Sequence, residues 1–413
     1  MNSLFKNINL MYKDYIFSMD KETIFFLDKM NEMVKPLDKE AMLKARNHLD
    51  SIAKPLDGLG KFEKLLVKIA GITGSPQIDL SSKKVLVLCS DNGIVEEGIS
   101  QTGQEVTKAV SISLSKGTSS VCRMAKAAGA QVIPVDMGMA CDSTPDQVVS
   151  KVMTDPGDGI SHNKTEYMMT CSRRGTRNFM IEPAMTSSEV INAINVGRLL
   201  VREEARKGTK IIATGEMGIG NTTTSSAIAA MLLNKDAKEV TGRGSGLNDE
   251  KFAHKIDIIN SAIEKYKDEP DIKALNKEKK LCSAKDEYAA YAFRTLTIFG
   301  GYDIAGMVGV FLGGAIYKVP IVIDGLISAT AALVSEYLFP GVSDYMIPSH
   351  LGKEPAMKDI LKKLSLEPVI CADLALGEGT GAVMLFPLLD QVLSVYNGNT
   401  TFDDISVGRY KRF

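Results

Sequence analysis

Short apolar runs rich in β-branched residues recur along the chain, and each ends in an acid with a glycine close by. "VLVLCSDNG" ends at Asp91, "QVIPVDMG" at Asp136, "KIIATGEMG" at Glu216 and "VPIVIDG" at Asp324. "PVICADLALGEG" follows near the C-terminus as a further run of this kind. Apolar runs this continuous suit strands buried on both faces. Segments with helical start and stop signals lie between them. Thr186 and Glu189 have the spacing of a capping box, and Gly208 closes the helix they open. "SSVCRMAKAAGA" stops at Gly129 and feeds a strand, and "GGYDIAGMVGVFLGGAIYK" feeds the strand at 319–324. Alternating strand and helix predicts an α/β fold, a parallel sheet covered on both faces. In such sheets ligands bind beyond the carboxyl ends of the strands. The recurring acids and glycines fall there, which predicts one polar, glycine-lined site.

Two stretches break the alternation. Residues 140–172 are polar and loop-like, and residues 266–288 are charged and read as an exposed excursion. The apolar stretch at 304–316 is too short to span a bilayer and reads as a buried helix. The first 30 residues carry acids and lack the apolar core and cleavage site of a secretory signal, so a helical extension is expected.

Composition narrows the function. The 413 residues suit one large α/β domain with an appendage, or two domains, and 45% apolar residues supply a core. Lys and Arg number 49 against 50 Asp and Glu, and no basic block dominates, so nucleic-acid binding has no electrostatic footprint. The six cysteines form no CxxC pair and read as free thiols of a reducing, cytoplasmic setting. The four histidines show no zinc-binding spacing.

Five stretches carry candidate chemistry. In "TGEMGIGNTTTSS" (214–226), Gly218 and Gly220 allow a tight turn, and Asn221 or Thr222 is expected to cap the following helix. Such a turn presents N–H groups and a helix dipole to an anion, or is a plain strand–helix junction. In "GRGSGLNDEKFAHK" (242–255), Gly242, Gly244 and Gly246 leave the backbone open, and Asn248 or Asp249 can cap the next helix. Lys255, two turns along, is a point charge for an anion or a solvated side chain. Asp324 and Gly325 end a strand before a small-residue helix containing Ser328 and Thr330, suited to a ligand or to packing. Asp91 ends the first strand before a polar loop. In "LGEGTGAVMLF", Glu378 stands between glycines, either as an ordinary turn carboxylate or as one held for chemistry.

These stretches occur in order with "KPLDGLGKFE" (54–63), "DNGIVEEGIS" (91–100), "RGTRNFMIEPAMT" (174–186), "IFGGYDIAGMVG" (298–309), "IVIDGLISATAAL" (321–333) and "IPSH" (347–350). Together they resemble the nicotinate-nucleotide:dimethylbenzimidazole phosphoribosyltransferase family from about Lys54 to about Leu389. The resemblance implies a Rossmann-like parallel sheet covered by helices, with a smaller helical domain from the N- and C-terminal segments. The expected boundaries are an extension at 1–45, the small domain at 46–80 and 386–413, and a catalytic domain at 81–385. It further implies a cytoplasmic homodimer that needs no metal or cofactor and contacts neither membrane nor nucleic acid. Phosphoribose would pass from nicotinate mononucleotide to a benzimidazole-type base. Adenine or a phenol as acceptor, and a non-catalytic nucleotide-binding subunit of a heteromeric relative, are the alternatives.

The resemblance makes Glu378 the general base, its pKa raised by Leu376 and Val383, and Glu216 a second active-site carboxylate. Gly218, Ile219, Gly220, Asn221 and Thr222 match the phosphoribosyl-binding turn, and Lys255 a phosphate-binding lysine. Gly244, Gly246, Asp324, Gly325, Ser328, Leu376, Gly377 and Gly379 would contact substrate, the last glycines letting a planar base approach. Ser100 and Thr102, on a loop at 99–110, would face the base. The chain departs from the family at Asn92, where His is frequent, at Gly352, where several members have Ser, and in lacking a proline in the base loop.

Overall fold

The computed structural model describes residues 21–150, 174–267 and 285–412. Most of the 140–172 and 266–288 stretches, and residues 1–20, lie outside the described residues.

Six strands form one sheet in the order β3-β2-β1-β4-β5-β6, with every pairing parallel. They are β1 (Lys83–Ser90), β2 (Ala130–Gly138), β3 (Val149–Ser150), β4 (Ile211–Met217), β5 (Ile321–Ile323) and β6 (Met346–Pro348). The predicted runs ending at Asp91, Asp136, Glu216 and Asp324 are β1, β2, β4 and β5. After β1 the chain moves outward through β2, then returns to build β4, β5 and β6 on the other side. The order reverses between β1 and β4, and a ligand crevice is expected where such a sheet reverses.

The helices before β1 are α1 (Lys21–Met33), α2 (Lys39–Ser51) and α3 (Lys61–Thr73). Glu63 of α3 is buried and accepts hydrogen bonds from Lys54 at 2.6 Å and from the Leu59 N–H at 3.1 Å. That pairing accounts for the spacing of lysine and glutamate in "KPLDGLGKFE". Next come α4 (Glu105–Ser115), α5 (Ser120–Ala127), α6 (Ser187–Arg206), α7 (Asn221–Leu233), α8 (Ala237–Val240) and α9 (Asp249–Tyr266). The last helices are α10 (Lys285–Phe299), α11 (Tyr302–Tyr317), α12 (Leu326–Leu338), α13 (Ala356–Lys363) and α14 (Thr380–Gly398). Thr186 and Glu189 form the expected capping box of α6. The apolar 304–316 stretch is in α11, buried through Ala315. The glycines of α11 let it press on α6, since a Cβ on Gly309 would overlap the Ile194 carbonyl. After α14 the chain returns to α2, where Ile52 bridges Thr401 and Arg412 pairs with Asp50 at 2.7 Å. Helices α2 and α14 run without a break across residues 45/46 and 385/386.

Two expectations are corrected. The "PVICAD" run does not join the main sheet. It supplies only β8 (Ile370–Cys371), paired with β7 (His350–Leu351) in a separate two-stranded sheet. Ile370 is half-buried and Cys371 exposed, so this run lacks the two covered faces that hold β1 and β4 in the sheet. The stretch at 99–110 is loop only to Gln104, because α4 starts at Glu105.

Candidate active site

Strand β4 delivers Glu216 to a cleft beyond the carboxyl ends of β4 and β5, and the turn after it enters α7. Gly220 has φ 95°, and a Cβ on Gly218 would overlap the Ser90 carbonyl, so both positions require glycine. Neither Asn221 nor Thr222 caps α7. Gly220 is the N-cap and makes no side-chain cap bond. The Asn221 amide instead donates one N–H to Glu216 Oε2 and the other to Asp303 Oδ2 at 3.1 Å. Thr222 Oγ1 accepts from Lys255 Nζ at 3.0 Å.

Asp324 follows β5, and its carboxylate reaches the start of α14. It accepts the Gly379 N–H at 3.1 Å and the Ala382 N–H at 2.9 Å. Gly325 begins α12 without a side-chain cap. The Ser328 hydroxyl braces β4 against β5, pairing with Thr214 Oγ1 at 2.6 Å and accepting the Asp324 N–H at 3.1 Å.

Gly377, Glu378 and Gly379 are left-handed in succession, with φ 85°, 61° and 91°. Glycine suits the first and third positions, and Glu378 is a strained exception of the kind concentrated at functional sites. The turn lies directly on β4: a Cβ on Gly215 would fall 2.6 Å from the Glu378 carbonyl oxygen. The Glu378 side chain is half-buried, and its Oε2 is buried without a hydrogen-bond partner among the described residues.

These elements enclose a cleft of about 230 Å³. Its wall includes Glu216, Gly218, Ile219, Asn221, Thr222, Gly244, Asp324, Gly325, Ser328, Leu376, Gly377 and Glu378. Burial dominates its electrostatics. Glu216 is pushed up to about 8 by burial first and then by Asp303. Asp303 is raised to about 6, mainly by burial. Asp324 and Glu378 are raised by burial as well, and His350 opposes the rise at Asp324. Lys255 is only 1% exposed, and burial lowers it to about 8. Its ammonium therefore stands behind Thr222, bonded also to the Gly242 carbonyl at 3.2 Å, and is not a solvated surface charge.

A phosphoribosyltransferase family profile matches residues 34–407. The chain is 38% identical over 375 residues to the nicotinate-nucleotide–dimethylbenzimidazole phosphoribosyltransferase of Acetivibrio thermocellus, covering 91% of this chain and 96% of that one. It belongs to this family. The enzyme of the same name from Clostridium acetobutylicum is 37% identical, with 93% and 99% covered. The crystal structure of the Thermus thermophilus enzyme superposes with a TM-score of 0.74 at 29% identity, covering 91% of this chain and all of that one. Membership makes the chain a phosphoribosyltransferase and agrees with the α/β sheet.

Not every residue expected from the family resemblance lines the cleft. Gly220 and Gly379 start α7 and α14 just behind the wall, and Lys255 lies beneath Thr222. Ser100 and Thr102 lie on the neighbouring loop, where the Thr102 N–H donates to Ser100 Oγ at 3.3 Å. That loop touches the 242–248 turn through Gln101, which donates to the Gly246 carbonyl. Leu376 is 56% exposed at the rim, so burial by other groups accounts for the rise at Glu378. His350, Glu354 and Asp303 are not singled out by the sequence as site residues, although His350 and Asp303 lie in stretches that carry the resemblance. The first two line the cleft, and Asp303 stands behind Asn221. A usable signal existed for Asp303, the single acid in the apolar run that becomes α11.

Proposed function

We propose that this chain transfers phosphoribose from nicotinate mononucleotide to 5,6-dimethylbenzimidazole or a related lower base. The products are α-ribazole 5′-phosphate and nicotinate, and the step belongs to assembly of the cobalamin nucleotide loop. We further infer a cytoplasmic homodimer.

One observation carries the assignment of the base: Glu378 belongs to the cleft wall and its Oε2 is buried without a hydrogen-bond partner among the described residues, while the Val121 backbone acts on the same carboxyl. A carboxylate oxygen held there is an acceptor for a proton that the substrate brings. As one benzimidazole nitrogen attacks C1′, the other N–H gives its proton to Glu378. The bond from C1′ to the pyridinium nitrogen breaks, its electron pair stays on nicotinate, and that leaving group needs no acid. Burial raises Glu378, which makes it a better base.

The remaining groups suit the charges of the same substrate. Asp303 and Asp324 both raise Glu216, so the three buried carboxyl groups act on one another as like charges. The Glu216 and Asp324 carboxyls of the wall complement a cationic ribosyl centre. The positive dipole ends of α7 and α12, which begin at glycines without a side-chain cap bond, face phosphate, backed by Lys255.

The test is incubation with nicotinate mononucleotide and a panel of benzimidazoles, adenine and phenols, with product masses measured. An α-ribotide formed by this chain alone supports the assignment, and its absence with every base would sink it. The panel also separates the alternative acceptors, and turnover by the chain alone excludes a non-catalytic subunit.

A further inference from the structure

Asp303 lies in the first turn of α11 and is fully buried. Its Oδ1 accepts the Ile304 N–H at 2.9 Å, and its Oδ2 accepts from Asn221 Nδ2 at 3.1 Å. The second hydrogen of that same nitrogen goes to Glu216. One amide group thus spends both its hydrogens on two buried carboxyl groups. The glycine turn is shaped around the arrangement, since a Cβ on Gly218 would fall 3.0 Å from Asp303 Oδ2. Burying a carboxyl group without a cation is costly, and an apolar residue would serve α11 better.

We propose that Asp303 is a positioning residue of the transfer: through the Asn221 amide it orients Glu216 toward the ribosyl centre, and its charge governs when Glu216 gives up its proton. This rests on the phosphoribosyl-transfer reading above. Asp303 acts through Asn221, which lines the cleft.

Like charges held close raise each other's proton affinity. Burial and then Asp303 raise Glu216, and Asp91 adds to the rise at Asp303. Asp324, beyond β5, raises Glu216 further, and the Glu378 main chain lowers it. Burial, then Asp136, Glu216 and Asp303, raise the Cys89 thiol of β1 and keep it neutral, while His350 acts on Asp324. A cationic substrate entering this field favours ionised Glu216, which then stabilises the positive charge that develops at C1′.

Asp303→Asn keeps the size, removes the charge and leaves one of the two acceptor oxygens, which serves either Asn221 or the Ile304 N–H. Carbon-13 NMR of glutamate-labelled protein reads Glu216 directly, the signal being assigned by its loss in Glu216→Gln. In Asp303→Asn the Glu216 titration should move down by about half a pH unit or more. The acid limb of kcat/KM for nicotinate mononucleotide should move with it. An unmoved titration in folded variant, or an even loss of kcat/KM at every pH, overturns the role. Wild-type protein supplies a second reading that needs no variant of Asp303. Its Glu216 curve should carry a second inflection where Asp303 titrates, and a single-step curve overturns the coupling. Neither titration needs turnover, so a wild-type protein that forms no product would defeat the functional reading, while the titrations would still report whether Asp303 governs Glu216.

Discussion

The Asp324 carboxylate accepts the Gly379 N–H at 3.1 Å, so the residue that ends β5 holds the turn that carries Glu378. It also takes the Ala382 N–H at 2.9 Å and thereby caps α14 from a distant part of the chain. Asp324→Ala removes both bonds. The loss of a helix cap costs about 0.5–2 kcal/mol. We expect a lower melting temperature and a fall in kcat, because the Glu378 turn loses its anchor. Asp324→Asn retains one acceptor and should recover part of both. Thermal melting and steady-state kinetics on the two variants check this, and unchanged kcat in Asp324→Ala would refute it.

Glu378→Gln keeps the shape of the turn and removes the base. General-base catalysis is worth on the order of 10²–10⁴ in rate, so kcat should fall by about that factor. The KM for nicotinate mononucleotide should hold, because the uncapped helix starts and Lys255 remain in place. The expected pH profile in the wild type follows from the sign of the shift. Glu378 lies above the ordinary carboxylate range because of burial, so base-dependent activity falls as pH drops through that raised value. This limb should vanish in Glu378→Gln.

Gly215 separates the turn from its strand. An added Cβ would lie 2.6 Å from the Glu378 carbonyl oxygen, which is backbone and cannot swing away. Gly215→Ala should therefore push the 377–379 turn outward. Overpacking of this kind costs about 1–3 kcal/mol. Activity should drop more than folding does, and a melting curve beside a kcat measurement separates the two.

The ends of strands were the most legible part of this chain. Asp91, Glu216 and Asp324 each close an apolar run, a local signal, and the sheet places all three at its carboxyl edge. The glycines at 218 and 220 were legible for the same reason. What stayed hidden joins residues far apart in sequence. Asn221 reaches Asp303 across 82 positions and Gly379 reaches Asp324 across 55. Periodicity carries no trace of such contacts. Asn221 looked like a cap, yet its amide is committed to two carboxyls. The glycines around Glu378 looked like clearance for a flat base. Their left-handed backbone also lets the turn lie against Gly215 and Glu216.

Glu216 ties catalysis to stability. Its folded pKa is about 8 against an ordinary 4.5. Between these values the folded protein holds a proton that the unfolded chain has lost. Stability therefore falls as pH rises through this window. Asp303, raised from 3.8 to about 6, acts in the same direction over a lower window. Lys255 has the opposite sign in a higher window. It is lowered from 10.5 to about 8, so its cost to the fold is relieved as pH rises from about 8 toward 10.5. Glu216→Gln removes this acidic contribution and keeps an acceptor for Asn221. The variant should melt higher than wild type at pH 8, and the gap should shrink toward pH 5, where wild-type Glu216 is already protonated in the fold. Melting curves of both proteins at the two pH values test this. A gap of equal size at pH 5 and pH 8 would show that Glu216 does not carry this proton.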